Sequence, residues 1–181
     1  MKSVIGTFPS QGSWDLAAPR SNRLDLRDVA WALSRICRFN GHVAEHYSVA
    51  QHSVLVASML PPELQRAGLF HDAQEAALGD MSSPQKYTLR QAGDHARDDL
   101  ESEWEEHIRA TFAVIWSPAI AFCVKQADLM ALAIEKRDVI GQSTPAWSCW
   151  DLPDPSAYPR LSVMSQRGAY EAFLTWELAT L

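Results

Sequence analysis

Along most of the chain apolar residues recur every three or four positions, the spacing of helices that bury one face. The period is missing before residue 25. Residues 1–24 hold Gly, Pro and Ser with one exposed-looking Trp14, and read as a loop or short hairpin with a strand at Ser3–Phe8. Asp25 is placed to cap a helix from Leu26 to about Arg38, on which Leu26, Val29, Ala30, Leu33, Ile36 and Cys37 face one way. Ser48-x-x-Gln51 has the form of a capping box and opens a helix that runs to Pro61. Val49, Val54, Leu55 and Val56 are its core positions, with His52 among them. After Pro61-Pro62 one unbroken helix is expected up to Gly79, because Pro suits the first turn and Gly the left-handed position past the last. Ser82-Ser83-Pro84 then starts a short turn of helix carrying Lys86 and Tyr87.

A long helix follows from about Asp94 to Ile115. Leu100, Trp104, Ile108 and Phe112 form its inner stripe, and Asp98, Asp99, Glu101, Glu103, Glu105 and Glu106 are expected to be a solvated face. Ser117-Pro118 opens another helix, Ala119 to Ile140, closed by Gly141. Ile120, Phe122, Val124, Leu129, Met130, Leu132 and Ile134 make it apolar nearly all round, so it is expected at the centre of the core. Residues 142–164, with Pro145, Trp147, Trp150, Pro153, Pro155 and Pro159, read as a packed irregular loop over a pocket or a subunit interface. A final amphipathic helix runs from Ser165 to about Ala179. No repeat or linker divides the chain, and the pattern predicts an all-α, single-domain bundle of five or six helices over residues 1–181.

Composition fits that reading: the chain has 181 residues, of which 47% are apolar, enough for a real core. The net charge of −6, without a Lys/Arg-rich block, argues against a nucleic-acid polymer or an anionic membrane as partner. Small phosphorylated ligands remain, since they need only a few cations. Cys37, Cys123 and Cys149 are odd in number and form no C-x-x-C, so neither a disulfide framework nor a thiolate zinc site is expected. Lys2 is not followed by the apolar core of a signal peptide, and no apolar run nears the roughly 18 residues of a membrane span. A cytoplasmic location is the expectation. The apolar, Trp-rich C-terminal third points to a homo-oligomer, with a dimer as the default.

The chemistry concentrates in Leu69–Asp80. His71, Asp72, Glu75 and Asp80 place an imidazole and three carboxylates in an otherwise apolar stretch. On one helix His71 and Glu75, four apart, and Asp72 and Glu75, three apart, would share a face. Such groups are costly to bury unless they are paired or bind a metal. A lone His-Asp dipeptide is most simply a hydrogen-bonded pair, and a lone His52 a hydrogen-bonded core residue. Asp128 alters that balance. It stands in an apolar helix, three residues after Lys125, and a carboxylate is rarely buried without a partner. Two imidazoles and two carboxylates from three core helices form a donor set for a divalent transition metal. Ligand type does not choose among Zn, Co, Mn, Fe and Ni.

The order His52, His71-Asp72, Asp128 resembles the HD-domain metal-dependent phosphohydrolases. His71-Asp72-Ala73-Gln74-Glu75 with Gly79-Asp80 is similar to the H-D-x-x-E-x-x-x-G-D signature of the branch that holds the bacterial 5′-deoxynucleotidases and small phage dATP triphosphohydrolases. Ser83-Pro84-Gln85-Lys86-Tyr87 resembles that branch's P-x-K-Y segment, and Lys125-Gln126-Ala127-Asp128 its K-Q-A-D. Ser34-Arg35 to Arg38-Phe39 resembles its arginine-plus-aromatic segment. The likeness covers roughly residues 26 to 140. It departs in the short link between His52 and His71, and in Phe39 where relatives can have Trp.

The resemblance implies that His52, His71, Asp72 and Asp128 bind the metal. It implies that Glu75 helps activate a metal-bound water, while Asp80 shares that role, protonates the leaving oxygen or holds an additional Mg, Mn or Co. Arg38, Lys86, Lys125 and Arg35 would contact phosphate oxygens. Surface solvation is the alternative for Arg38 and Lys86, and an ion pair with Asp128 for Lys125. Phe39 or Trp14 could stack on a base or pack in the core. His42 and His46 could touch substrate or stand in a loop without a role. The expected activity is hydrolysis of a 2′-deoxynucleotide at its α-phosphate, either as a 5′-deoxynucleotidase on dNMPs or as a triphosphohydrolase on a dNTP such as dATP. The alternatives are a non-catalytic nucleotide-binding sensor of the same type and a purely structural helical module.

Overall fold

The computed structural model describes residues 3–141 and 151–180, and over these the chain is an all-α bundle of eight helices with one small hairpin. β1 (Val4–Gly6) pairs antiparallel with β2 (Ser13–Asp15). A two-stranded hairpin needs a core to rest on. Trp14 of β2 provides it: the ring is buried, not exposed as its loop-like surroundings indicate, and packs 5.7 Å from Trp104, centroid to centroid.

Asp25 caps α1 (Leu26–Leu33) by accepting from the Arg27 N–H. The helix ends well before Arg38. The Ser34 hydroxyl donates to the Trp31 carbonyl at 2.8 Å, a local bond that competes with helix continuation. The chain then turns so that Arg38 N–H donates to Tyr47 O at 2.9 Å and Val49 N–H to Ile36 O at 3.1 Å. Ser48 caps α2 (Val49–Ser58) through the Gln51 N–H. The Gln51 side chain does not complete the capping box. It donates to Ser162 O at 2.7 Å and accepts from Met164 N at 2.8 Å, so residues 162–164 are stitched to α2.

The expected long helix from Pro62 to Gly79 is two helices, α3 (Pro62–Leu69) and α4 (Glu75–Leu78). Gly68 O accepts from Nδ1 of His71 at 2.7 Å, taking the carbonyl that a continuing helix would offer to Asp72 N–H. Residues 70–76 close tighter turns instead, with Ala73 N–H on Phe70 O and Glu75 N–H on Asp72 O, both at 3.1 Å. Gly68 also lets α3 approach α2. A methyl group there would stand 2.5 Å from Leu60 Cδ1 and 3.2 Å from Ala57 Cα.

The remaining elements are α5 (Ser83–Gln91), α6 (Ala96–Thr111), α7 (Pro118–Glu135) and α8 (Gln166–Ala179). α7 runs into a wide π-type turn, Lys136–Ile140, stopped by Gly141 at φ 94°. α2 sits at the centre, packed on α3, α7 and α8, while α1 packs on α4 and α8. Two faces differ from expectation. On α6, Glu101 is buried rather than solvated, because Lys86 and Arg97 each reach its carboxylate at 2.8 Å. On α7 the core positions begin only at Val124: Val124, Ala127, Ala131, Ala133 and Ile134 are buried, whereas Phe122 and the preceding Ile115 are exposed.

Residues 151–164 form neither helix nor strand. Arg137 donates to the carbonyls of Pro155, Tyr158 and Pro159, and Asp138 accepts from Arg160 and from Leu161 N–H, so this segment is fastened to the end of α7. Pro145, Trp147, Cys149 and Trp150 lie outside the described residues. No described helix is long and apolar enough to cross a membrane.

Candidate metal centre

His52 lies on the first turn of α2 and is fully buried. His71 and Asp72 lie in the break between α3 and α4. Neighbouring residues of a regular helix point about 100° apart. The break removes that constraint, so His71 and Asp72 face the same point. His52 Nε2 stands 3.3 Å from His71 Nε2 and 3.5 Å from Asp72 Oδ2, and His71 Nε2 is 3.2 Å from Asp72 Oδ2. Donors held about 2.0–2.1 Å from one ion stand roughly 3–3.4 Å from each other, so this triangle has the edges of a metal's coordination sphere. The His52–His71–Asp72 group can hold a metal ion. Asp128 of α7 joins on one side, its Oδ1 3.3 Å from His52 Nε2.

The orientation of both rings is set from behind. A carbonyl only accepts, so the 2.7 Å contact to Gly68 O puts a hydrogen of His71 on Nδ1 and aims Nε2 at His52 and Asp72. His52 Nδ1 donates to Glu135 Oε1 at 2.6 Å, and the Tyr47 hydroxyl donates to the same oxygen at 2.9 Å. Burial works against a charge on His52, as does Arg38. The carboxylates Glu135 and Asp128 outweigh both, and its pKa is pushed up to about 9. Burial likewise opposes ionisation of Asp72, yet His71 and His52 hold it well below the usual carboxylate range. Asp128 is held down in the same way by His52, His71 and Lys125. Lone pairs that converge so closely require a positive partner, which is a proton or a metal ion.

Glu75, the first residue of α4, is buried, and its Oε2 has no hydrogen-bond partner among the described residues. Burial, Asp72 and Asp80 raise its pKa well above normal. Asp80 is half-buried past the end of α4 and is also raised by burial, against the pull of Arg38. Arg97 fastens this corner by donating to Leu78 O at 2.9 Å and Gly79 O at 2.6 Å. Lys86 is held at Glu101, and its field reaches Glu75 and Asp72.

Arg38 is not a solvated surface residue. Its guanidinium is buried, with Nη1 3.5 Å from Asp72 and Nη2 3.3 Å from Glu135. Burial disfavours its charge, but Glu135, Asp72, Glu75 and Asp128 keep it protonated. Phe39, half-buried, adopts a left-handed backbone (φ 58°), and the Arg38 guanidinium lies 5.4 Å from its ring centroid. Lys125 pairs with Asp128 at 2.7 Å and is half exposed, so Asp128 sits at a rim and is not sealed in an apolar helix. Arg35 is not brought to the centre: it lies flat on Trp31, 3.1 Å from the ring centroid, and bonds Trp31 O and Ser34. His46 contacts Ser34 O at 3.1 Å, and His42 is exposed. Trp14, buried against Trp104, serves the core.

No protein-family model matches the chain. It is similar to the uncharacterized protein YfdR of Escherichia coli (strain K12), with 40% identity over 114 residues, 63% of this chain. That match spans 60% of YfdR's own length. It is also similar to the uncharacterized protein RCAP_rcc00048 of Rhodobacter capsulatus, with 29% identity over 151 residues, 78% of this chain and 76% of that protein. Neither name states an activity.

Glu135 and Tyr47 escape a reading of the sequence, yet both are fully buried behind His52. Glu135 had a signal. It follows Asp128 by seven residues, two turns along α7 and on the same face, in a stretch of Leu, Met, Ala and Ile. Tyr47 had none, since an aromatic beside a helix cap is commonplace.

Proposed function

We propose that the chain is a metal-dependent phosphohydrolase of 2′-deoxynucleotides, of the HD-domain type. The observation that carries the reading is the convergence of His52 Nε2, His71 Nε2 and Asp72 Oδ2 at 3.2–3.5 Å spacings, with Asp128 Oδ1 3.3 Å from His52 Nε2 and with the buried Glu75 close by in sequence, its Oε2 without a hydrogen-bond partner among the described residues. Charge supports a cation. With both imidazoles neutral, the carboxylates Asp72, Asp128 and Glu135 outnumber their cationic partners Arg38 and Lys125 by one negative charge. When bound, an ion such as Zn, Co, Mn, Fe or Ni would polarise a phosphoryl oxygen and lower the pKa of a water molecule.

The protein's own groups supply the rest. Glu75, raised by burial and like charge, is a stronger base than a free carboxylate and takes the proton from the attacking water. Asp80, past the end of α4 and also raised by burial, is assigned the transfer of a proton to the leaving oxygen. Arg38 from inside and Lys86 and Lys125 from the rim offset charge on the phosphate oxygens. Each of these cations has a carboxylate partner to leave or share, so the same three can serve a monophosphate or a triphosphate.

The test is product analysis. Purified protein is incubated with Mn²⁺ or Co²⁺ and each dNMP or dNTP, and nucleoside, phosphate and triphosphate are resolved. Phosphate from dNMPs is the expected result. Nucleoside with intact triphosphate makes the chain a triphosphohydrolase. Metal uptake with no product from any nucleotide replaces the enzyme by a binding-only sensor.

A further inference from the structure

Behind the ligand atoms lies a second layer of side chains with little or no contact with solvent. We propose that Glu135 is the positioning residue of this centre, its one carboxylate aiming the metal ligand His52 and anchoring the cation Arg38; the inference rests on the metal-binding reading above. Glu135 and Tyr47 have no exposed surface, and the Arg38 side chain retains only 12%. Oε1 of Glu135 accepts from His52 Nδ1 at 2.6 Å and from the Tyr47 hydroxyl at 2.9 Å, while Oε2 accepts from Arg38 Nη2 at 3.3 Å.

Three donors on one buried carboxylate are what its ionised form requires. The geometry then has a direction. With its hydrogen committed to Glu135, the His52 ring turns its other nitrogen towards His71 and Asp72, and partners of this kind fix ligand rings in metal sites. Arg38 continues the chain of contacts, one nitrogen on Glu135 and the other 3.5 Å from Asp72. Glu135 therefore reaches both a histidine ligand directly and a carboxylate ligand through one guanidinium. An amide cannot do this. The glutamine oxygen satisfies either the His52–Tyr47 pair or Arg38, and its NH₂ then faces a donor on the other side.

The experiment is calorimetric titration of chelator-stripped wild type, Glu135→Gln and Tyr47→Phe with Mn²⁺, Co²⁺ or Zn²⁺ alone, with no nucleotide present. Thermal melts of the metal-free proteins run alongside. Glu135→Gln is expected to weaken metal binding about 10–100-fold, the usual effect of losing a partner behind a ligand. Tyr47→Phe keeps the carboxylate but removes one of its donors, and is expected to weaken binding severalfold. The absorption bands of bound Co²⁺ should shift in both variants, because the His52 ring is less firmly held. A carboxylate with a merely structural role would lower the melting temperature and leave the affinity of the folded protein unchanged. A folded Glu135→Gln protein with wild-type affinity and spectrum overturns the inference alone. If that variant does not fold, unchanged affinity and spectrum in Tyr47→Phe overturn it. A wild type that takes up none of the three ions overturns the metal reading, and the inference with it.

Discussion

Metal uptake should raise the stability of the folded chain by a calculable amount, and His71→Ala should abolish the gain. The donor atoms come from positions 52, 71–72 and 128 on three separate stretches of chain, so an unfolded chain does not present them together. An ion that binds only the folded state, at a free concentration of 100 times its Kd, adds about 2.7 kcal/mol. For a chain of this size each kcal/mol moves Tm by roughly 2–4 °C, which gives a rise of about 5–11 °C. The protein is stripped with a chelator and melted by scanning calorimetry with and without each of Mn²⁺, Co²⁺, Ni²⁺ and Zn²⁺. His71→Ala removes a donor at the triangle but also the 2.7 Å bond to Gly68 O, worth about 1 kcal/mol. Its metal-free Tm is therefore lower from the outset, and the quantity to compare is the shift on adding metal. The reasoning is refuted if no ion shifts the wild type, or if His71→Ala shifts by the same amount, which would place the ion elsewhere.

Two further outcomes follow from the same geometry. Glu75→Gln should keep metal uptake while nucleotide turnover falls by about 10²–10⁴-fold; unchanged turnover in a product assay removes Glu75 from the mechanism. Asp138, whose side chain is 4% exposed, is held far below the ordinary carboxylate range mainly by the Arg137 guanidinium and also by Leu161 N–H and Arg160. A depressed folded pKa contributes stability above the unfolded value near 4 and loses it as pH falls further. Asp138→Asn should thus cost about 1–3 kcal/mol at pH 7 and progressively less from pH 5 down to pH 2, read by denaturant melts across that range. A constant cost across that range would contradict the assignment.

Local signals stood plainly in the sequence. Asp25, Ser48, Ser117 and Ser165 cap helices where the pattern of side chains places caps, because a cap is a bond between residues two or three apart. The final helix begins and ends where its period predicts, and the helical class follows from the same periodicity. His52, His71, Asp72 and Asp128 could be singled out because imidazoles and carboxylates are conspicuous in apolar stretches. Signals that compete over distance were not readable. Gln51 completes a capping box on paper, but backbone groups more than a hundred residues away claim its amide. Glu101 reads as one of six solvated acids until Lys86 and Arg97 are folded against it.

The amino-acid sequence by itself thus determined the all-α class and the caps that start several helices, and it singled out candidate metal ligands, since all of these depend on residue type and short spacing. Only the tertiary structure decided how those residues are aimed. A single bond from His71 to Gly68 O breaks the expected helix and turns His71 and Asp72 to one point. Stacking on Trp31 takes Arg35 away from the centre, and burial binds Arg38 to Glu135 and Asp72. Glu135, unremarked on α7, becomes the group behind His52 because α2 and α7 pack together. Each of these outcomes depends on which distant group claims a hydrogen bond or a charge, and periodicity along one strand of sequence holds no record of that.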